Sequence, residues 1–485
     1  MTMGRTFVAA IAALSLTACG GGGGSGSTPG GGSVSGGGGS GGGTGGGGTA
    51  TTCSVSDRQQ WVKSVVDEWY LFPNLVNNAV NRADYTTVQG YIDALVAPAR
   101  AQNRDRFFTY ITSKSEEEAL INSGASAGFG VRLGYDTANN RVFVLEAFES
   151  GPGYSAGLDR GTELLAIGTT SSNLRTVSSL MSTGGPQAVV DALGPSDAGV
   201  TRVLQYRTAA GTTLERSIAK TVFALDPISD RYGVRIIDDG GKKVGYLNLR
   251  TFIVSDAAAQ LRTAYQQFQQ QGVTELIIDL RYNGGGLVDV AELMGDLMGR
   301  DKVGSVFSRT VLRDSKAARN TTELFETEPG SITPTKIAFI GRGGTASASE
   351  LIANSMIPYL GNNTALIGAN TYGKPVGQYG FDRDECDDRL RLVTFKTENR
   401  DGQGEYFSGL ASVFPNTCRA EDDLAVQLGE PGEASIATAL DFLAGRSCTA
   451  IAASGKQSAQ SIGPGRELIQ PASPTAAQHR IPGLF

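Results

Sequence analysis

The sequence predicts an α/β fold with a mostly parallel sheet, preceded along the chain by a helical region and a β-rich region. Beyond about residue 221, short apolar runs typical of buried strands alternate with amphipathic stretches typical of helices. Such strand–helix repeats favour a parallel sheet with right-handed crossovers. Gly-rich turns follow two of the strands, after Leu280 and after Ile340. Both turns are therefore expected at the same edge of the sheet.

Residues 1–52 have the pattern of an export and anchoring segment. Residues 1–18 combine an early arginine, a short apolar run and small residues, which is typical of a signal peptide. Residues 16–19, Leu-Thr-Ala-Cys, match a lipoprotein cleavage site, so Cys19 is the predicted lipidation site. An ordinary secretory signal is the alternative. Residues 19–52 are almost entirely Gly, Ser and Thr and predict a flexible tether with a reach of roughly 30 Å.

The remaining cysteines predict two disulfide bonds. Cys53, Cys386, Cys418 and Cys448 form an even set in a chain with an export signal, and none belongs to a C-x-x-C pair. Three pairings of four cysteines are open. The favoured pairing joins Cys386 to Cys418, in the loops after Lys374, and Cys53 to Cys448, which would tie the two ends of the body together.

The body of the chain begins with a predicted helical cap at 53–124. Apolar and aromatic residues recur there at helical spacing, as from Trp61 to Tyr70. From Ala125 the period changes to that of strands, with predicted strands at 141–146 and 164–167. Further along, strands are predicted at 244–249 and 275–280, and helices at 257–271 and 287–297.

The stretch 336–378 combines the residues with the clearest chemical potential. It predicts a buried strand at 337–340, a Gly-rich turn, a helix that begins near Ser347, a strand at 364–367, and a loop with Lys374 and Gln378. A hydroxyl at a strand-to-helix turn lies where helix N–H groups converge, which favours developing negative charge. A lysine on the next loop could accept the proton of that hydroxyl, so a nucleophile and a base are predicted.

Two nucleotide-binding motifs are partly matched in this stretch, but each lacks a residue that its function requires. Residues 341–346 fit the dinucleotide pattern G-x-G-x-x-A, but no acidic residue between Glu350 and Asp382 is available to bind a ribose. Residues 368–374 mimic a P-loop, but Pro375 stands where a magnesium-binding hydroxyl belongs.

Composition narrows the choice of base and of partner. The chain has one histidine, His479, which disfavours a Ser-His-Asp triad or a histidine metal site. A free lysine has a pKa of about 10.4, so Lys374 could act as a base only if it is buried among apolar groups. The net charge of −6 and the pI near 5.2 argue against nucleic acid as a partner.

The β-rich region at 125–220 resembles a PDZ domain. The run Gly128-Phe129-Gly130-Val131 matches the loop of that family, although Thr162 stands where the family usually has Asp. The resemblance implies that this loop binds a terminal carboxylate and that a peptide adds as a strand beside residues 131–133. A simple turn in a small β domain is the alternative.

The body as a whole resembles the serine-lysine carboxyl-terminal processing peptidases, also called tail-specific proteases. Three stretches carry the likeness, 279–286, 345–350 and 371–378. They lie in a chain with the family's order of helical cap, PDZ-like domain and crotonase/ClpP-like α/β core, the last expected at 221–448.

The resemblance implies roles for individual residues. Ser347 corresponds to the nucleophile, Lys374 to the general base and Gln378 to the group that orients the lysine. The N–H groups of Ala348 and Gly285 correspond to the oxyanion hole. Two departures are that the interval between serine and lysine is longer, through residues 359–364, and that Pro375 replaces the common glycine. The longer interval makes Ser349 a rival nucleophile.

The implied function is a serine endopeptidase that needs no cofactor. It would recruit exported proteins with accessible C-terminal tails through the PDZ-like groove, at the bacterial cell envelope and most simply at the outer membrane. A non-catalytic, membrane-tethered peptide-binding PDZ scaffold is the alternative, and an acyl-CoA enzyme of the crotonase type is a third reading. Residues 449–485 are expected to form a mobile tail. Its apolar residues 483–485 suit a PDZ-like groove, which leaves self-occupancy open.

Overall fold

A computed structural model describes residues 53–452, 461–463 and 466–485. The predicted signal peptide at 1–18 and the tether at 19–52, with Cys19, lie outside the described residues. Across the described ranges, no helix has both the length and the apolar character needed to cross a membrane.

The described chain is a mixed α/β structure with several sheets. The strands β1 to β21 are Tyr110–Ser113, Ala125–Gly128, Val131–Asp136, Arg141–Ala147, Glu163–Gly168, Arg175–Thr176, Thr201–Arg207, Thr213–Ala219, Thr221–Ala224, Val234–Asp239, Lys242–Asn248, Glu275–Asp279, Val306–Leu312, Thr321–Leu324, Lys336–Gly341, Thr364–Gly368, Val376–Arg383, Asp388–Glu398, Thr417–Arg419, Ser461–Gly463 and Arg466–Leu468. The helices α1 to α11 are Val55–Trp69, Val88–Leu95, Ala97–Ala101, Lys114–Ser123, Pro152–Ser155, Val177–Leu193, Ala257–Gln270, Val288–Leu297, Ala348–Leu360, Ala434–Leu443 and Ala476–Arg480.

The central sheet has the strand order β10-β11-β12-β15-β16-β19 and is parallel from β11 onward. Alternate side chains of its strands face opposite layers. Leu276 and Ile278 pack with α7, α8 and α9, while Ile277 packs with α10. Because helices cover both faces, these strands are continuous apolar runs, which is why the sequence predicts them closely. The carboxyl ends of β12, β15 and β16 consequently meet at one edge.

A second large sheet, of order β20-β21-β3-β4-β5-β7-β8 with β6 beside β5, forms the β-rich part of the chain. Its apolar face packs on α6, which bends at Gly185 where φ is 64°. The predicted strands at 141–146 and 164–167 correspond to β4 and β5.

The predicted helical cap shares a sheet with the core. The strand β1 pairs antiparallel with β18, which also pairs with β13 and β17. The helices α1 and α2 pack on β18 through a shared apolar cluster that includes Val66, Ile92 and Leu392. The region 53–124 is therefore not purely helical, because one of its segments completes the edge of a core sheet.

The predicted disulfide pairing is wrong. The bonds are Cys53–Cys386 and Cys418–Cys448 rather than Cys386–Cys418 and Cys53–Cys448. Cys53 precedes α1, which packs against the β17–β18 hairpin whose turn contains Cys386. Cys448 follows α10 and lies beside β19, where the Arg419 N–H donates to the Thr449 carbonyl. Tertiary packing that the sequence does not reveal decides both partners.

The expectation of a mobile tail is wrong for residues 466–485. This segment contributes β21 and α11, and β21 pairs antiparallel with β3. Its few apolar side chains are almost fully buried, among them Leu468, Ile481, Leu484 and Phe485. A composition poor in apolar residues does not prevent order when each apolar residue meets an existing pocket.

Candidate active site

Three loops at the carboxyl edge of the central sheet approach one another. The first follows β12 and contains residues 284–286, the second follows β15 and contains Ser347, and the third follows β16 and contains Lys374. This edge is where ligand sites form in open α/β sheets. The structure therefore brings together the residues that the sequence singles out.

Ser347 stands in an unusual backbone conformation immediately before α9. Its φ is 59° and its ψ is −118°, a region that non-glycine residues avoid at a cost of roughly 1–3 kcal/mol. Gly285 lies directly behind it, since a Cβ added there would be 2.7 Å from the Ser347 Cβ. Ser347 is half-buried. A sharp strand-to-helix turn thus presents its hydroxyl at the edge of the sheet.

Lys374 packs against Phe108, just before β1. Its Nζ donates to the Gln378 Oε1 at 2.7 Å and lies 5.0 Å from the centre of the Phe108 ring. Gln378 is itself held by a hydrogen bond from its Nε2 to the Phe108 carbonyl. Burial of the amine, assisted by the positive charge of Arg480, lowers the pKa of Lys374 to about 7. Lys374 as a whole residue is partly buried.

Glu350 is the residue that the sequence analysis missed. Its fully buried carboxylate accepts from the N–H of Ser347 at 3.2 Å and of Lys374 at 2.7 Å through one oxygen. The other oxygen accepts from the Gly373 N–H at 2.7 Å and the Thr371 hydroxyl at 2.6 Å. Burial raises the pKa of Glu350, although these four donors favour its charged form. The signal in the sequence is the spacing Ser-x-x-Glu at a helix start, which is typical of a carboxylate that reaches back to the turn.

One of the two N–H groups predicted to bind the oxyanion already donates a hydrogen bond within the protein. The Ala348 N–H begins α9 and so has no acceptor within the helix. The Gly285 N–H, by contrast, donates to the Asn283 Oδ1 at 2.9 Å. In this arrangement the Ala348 N–H is the better placed donor to an oxyanion. The role of Gly285 is to let its loop pack closely against Ser347.

The rival nucleophile Ser349 is fully buried. Its hydroxyl donates to the Asn283 carbonyl at 2.9 Å and thereby fastens α9 to the loop after β12. This bond gives Ser349 a structural role that explains its presence two residues after Ser347.

The predicted peptide-binding residues lie at the start of β3. Gly130 has a φ of 71°, and a Cβ there would be 2.5 Å from the Gly151 Cα, so only glycine fits. Phe129 is buried in the apolar cluster between this strand and α6, and Gly128 ends β2. The Val131 N–H donates to the carbonyl of Phe485, in the chain's own last described segment, at 3.1 Å.

Comparisons with known proteins find similarity to peptidases. Residues 243–411 match the profile of Peptidase family S41. The chain is 26% identical over 271 residues to the carboxyl-terminal-processing protease of Synechocystis sp., covering 54% of this chain and 56% of that protein. It is 26% identical over 270 residues to the chloroplastic C-terminal processing peptidase of Tetradesmus obliquus, covering 52% of each. The chain thus spans about half the length of the curated relatives it matches.

A solved structure shares the fold over most of the chain. It is described as a candidate S41 protease from Bacteroides fragilis, with a TM-score of 0.61 and 22% identity over 79% of this chain and 97% of that one. The match at 243–411 spans the loop after β12 and both Ser347 and Lys374. Residues 243–411, which contain the candidate site, are therefore similar to Peptidase family S41.

Proposed function

We propose that this protein is a serine endopeptidase in which Ser347 is the nucleophile, Lys374 the general base and Gln378 the group that orients the lysine. The observation that carries the proposal is a lysine whose pKa is lowered to about 7 and whose backbone N–H shares the Glu350 carboxylate with that of Ser347, a serine in a strained turn. At neutral pH a large share of such an amine is uncharged and can accept a proton.

The reaction would follow the general course of covalent serine catalysis. Neutral Lys374 accepts the Ser347 proton as the hydroxyl oxygen attacks a peptide carbonyl, and the oxyanion is stabilised by the Ala348 N–H. The lysine then gives the proton to the leaving amine, and an acyl-enzyme remains. Water attacks the acyl-enzyme with the same lysine as base, which restores the serine.

The substrates we propose are exported proteins or peptides with accessible C-terminal tails. The β-rich region would act as a PDZ-like domain in which Gly128, Phe129, Gly130 and Val131 accept the end of such a tail, and β3 would pair with it. The cap at 53–124 and a crotonase/ClpP-like core at 221–448 would complete the body. No cofactor and no nucleic acid enters this proposal.

We further propose that the protein is lipid-anchored at Cys19 in a bacterial cell envelope, with its body held off the membrane by the Gly-rich tether. The cleavage pattern at 16–19 and the composition of 19–52 support this placement. Metabolic labelling with a palmitate analogue tests this placement. Cys19→Ser should abolish incorporation of the label, although Cys53 is still present in the variant.

A cleavage assay on an unfolded protein substrate tests the peptidase function. Ser347→Ala and Lys374→Ala should each lower the rate by a factor of about 10³ or more, while the far-UV circular dichroism stays unchanged. Ser349→Ala is the matched control and should retain activity, because its hydroxyl is bonded to Asn283. A folded wild type without cleavage would favour the non-catalytic PDZ scaffold, and full activity in Ser347→Ala would move the role to Ser349.

A further inference from the structure

The outer edge of β3 is covered by a later part of the same chain, residues 466–485, which we call the docking segment. Its strand β21 pairs antiparallel with residues 134–136 of β3. Its last residues pair with the first half of β3, since the Val131 N–H donates to the Phe485 carbonyl at 3.1 Å and the Leu133 N–H to the Gly483 carbonyl at 2.7 Å. An added peptide strand would need these same backbone groups.

The Phe485 side chain fills the apolar pocket at the start of β3. It is 2% exposed and belongs to the cluster that contains Phe129 and Val131. A Cβ added to Gly128 would lie 2.7 Å from the Phe485 carbonyl carbon, so the segment is in close contact with the loop proposed to receive a peptide end. The docking segment therefore occupies the pocket as well as the strand edge.

The same segment also lies against the glycine loop behind the nucleophile. A Cβ added to Gly284 would be 2.9 Å from the Arg480 carbonyl. Arg132 of β3 connects the two regions, because its Nη1 donates to the Tyr282 carbonyl at 2.8 Å and to the Pro482 carbonyl at 2.9 Å. One buried guanidinium thus joins the groove, the docking segment and the segment that leads into the glycine loop.

Specific contacts hold the docking segment in this position. The Arg480 guanidinium donates to the Glu117 carboxylate at 2.8 and 2.9 Å, and the His479 ring stacks on Tyr110 at 3.8 Å. The Gln478 side chain donates to the Leu484 carbonyl at 2.9 Å. Paired charges and a stacked ring are features of a fitted ligand rather than of a loosely attached chain.

We propose that the docking segment is a built-in ligand of the β3 edge, which a substrate tail must displace before it can pair with the groove and reach Ser347. This inference rests on the proposed function, since it concerns how that site is controlled. If the segment is docked nine-tenths of the time, only about one-tenth of the grooves are open and the apparent affinity for a peptide falls about tenfold.

A binding experiment tests this inference without relying on cleavage. The full chain with Ser347→Ala is titrated against a fluorescein-labelled peptide with the sequence of residues 475–485, and fluorescence anisotropy gives the Kd. Adding Phe485→Asp to the chain, but not to the peptide, should lower the Kd by up to about tenfold, because the competing segment is weakened. Val303→Asp, at a position 49% exposed in a turn outside the groove, is the matched control and should leave the Kd unchanged.

Equal Kd values for the Phe485→Asp chain and the Val303→Asp control would overturn the inference. Should Phe485→Asp impair folding, hydrogen exchange on the Ser347→Ala chain decides the matter. Excess peptide should then speed exchange in residues 476–485, and unchanged exchange at saturating peptide would contradict displacement. Because both readouts use the inactive serine variant, a failure of the peptidase proposal would appear separately, in the cleavage assay.

Discussion

A lysine amine surrounded by protein atoms loses much of its preference for the charged form. For Lys374 this lowers the pKa to about 7, and the bond to Gln378 fixes the direction in which the amine points. The sequence predicts the pair because Ser347 and Lys374 follow successive strands of one parallel sheet. It does not predict Glu350 as a common acceptor for both backbones, because the loop conformation that turns those N–H groups inward depends on tertiary packing.

The rate of cleavage should depend on pH through this amine. Below its pKa the neutral fraction of Lys374 falls about tenfold per pH unit, so kcat/KM should rise with pH, with a midpoint near 7, and then level off. A pH–rate profile between about pH 5 and pH 9 on a stable substrate provides the measurement. A flat profile, or a rate that is still rising about tenfold per pH unit at pH 9, would contradict the role of Lys374.

Glu350→Gln should impair positioning without removing a reacting group. In the variant, the side-chain amide nitrogen of the new glutamine would face backbone N–H groups that now donate to a carboxylate oxygen, and two donors cannot bond to each other. We therefore expect kcat to fall about 10- to 100-fold and the unfolding free energy to fall by about 1–3 kcal/mol. Loss of the negative charge should also move the midpoint of the pH–rate profile downward, since Glu350 favours the charged form of Lys374. Glu116→Gln, at an exposed site, is the control. An unchanged kcat and midpoint would show that Glu350 has no such role.

At the scale of elements, the central strands and helices follow closely from the sequence. The predicted strand at 337–340 is Lys336–Gly341, and the predicted helix at 257–271 is Ala257–Gln270. Strands that are covered by helices on both faces are continuous apolar runs, so their positions are easy to predict from the sequence. The long hairpin β17–β18 and its pairing with β1 were not predicted, because pairing between segments far apart in sequence depends on exposed edges that local patterns do not encode.

The bond Cys53–Cys386 should stabilise the attachment of the first helix to this hairpin. Replacing both cysteines by serine should lower the unfolding free energy by about 2–4 kcal/mol, as for other natural disulfides, while cleavage is retained at low temperature. Chemical denaturation of the variant and the wild type under oxidising conditions measures the difference. Equal stability of the two proteins, or loss of activity in the folded variant, would contradict a purely structural role.

At the scale of the whole molecule, buried ion pairs connect the parts of the chain. Arg160 of the β-rich region binds Asp422 at 2.7 Å, and Arg281 beside the glycine loop binds Asp422 at 3.0 Å and Glu433 at 2.7 Å. Glu117 of α4 forms a second group of ion pairs, with Arg391 of β18 and Arg480 of the docking segment. The sequence predicts the separate parts of the chain but not the ion pairs between them, because the paired charges are far apart along the chain.

Glu117 should make the whole molecule sensitive to acid. Burial alone would raise its pKa, but the guanidiniums of Arg480 and Arg391 outweigh burial and lower it from 4.5 to about 2. A carboxylate with a lowered folded-state pKa stabilises the protein above its unfolded pKa and loses that contribution as pH falls. The unfolding free energy should therefore drop between about pH 4.5 and pH 2 by an amount on the order of 3 kcal/mol from this group.

Denaturation at pH 7 and at pH 3 measures this contribution. Glu117→Gln should be less stable than the wild type at pH 7, and the difference between the two should shrink at pH 3. A constant difference across this range would mean that the charge of Glu117 is not what joins α4, the β17–β18 hairpin and the docking segment.

The central claim is that an uncharged Lys374 accepts the proton of Ser347 and thereby makes this serine a nucleophile. The most direct measurement is mass-spectrometric mapping of a fluorophosphonate adduct on the full chain at about pH 8, where the neutral amine prevails. We expect a single adduct on Ser347, lost in the Lys374→Ala variant and retained in Ser349→Ala. An adduct on Ser349, or labelling of Ser347 that persists without Lys374, would contradict the account.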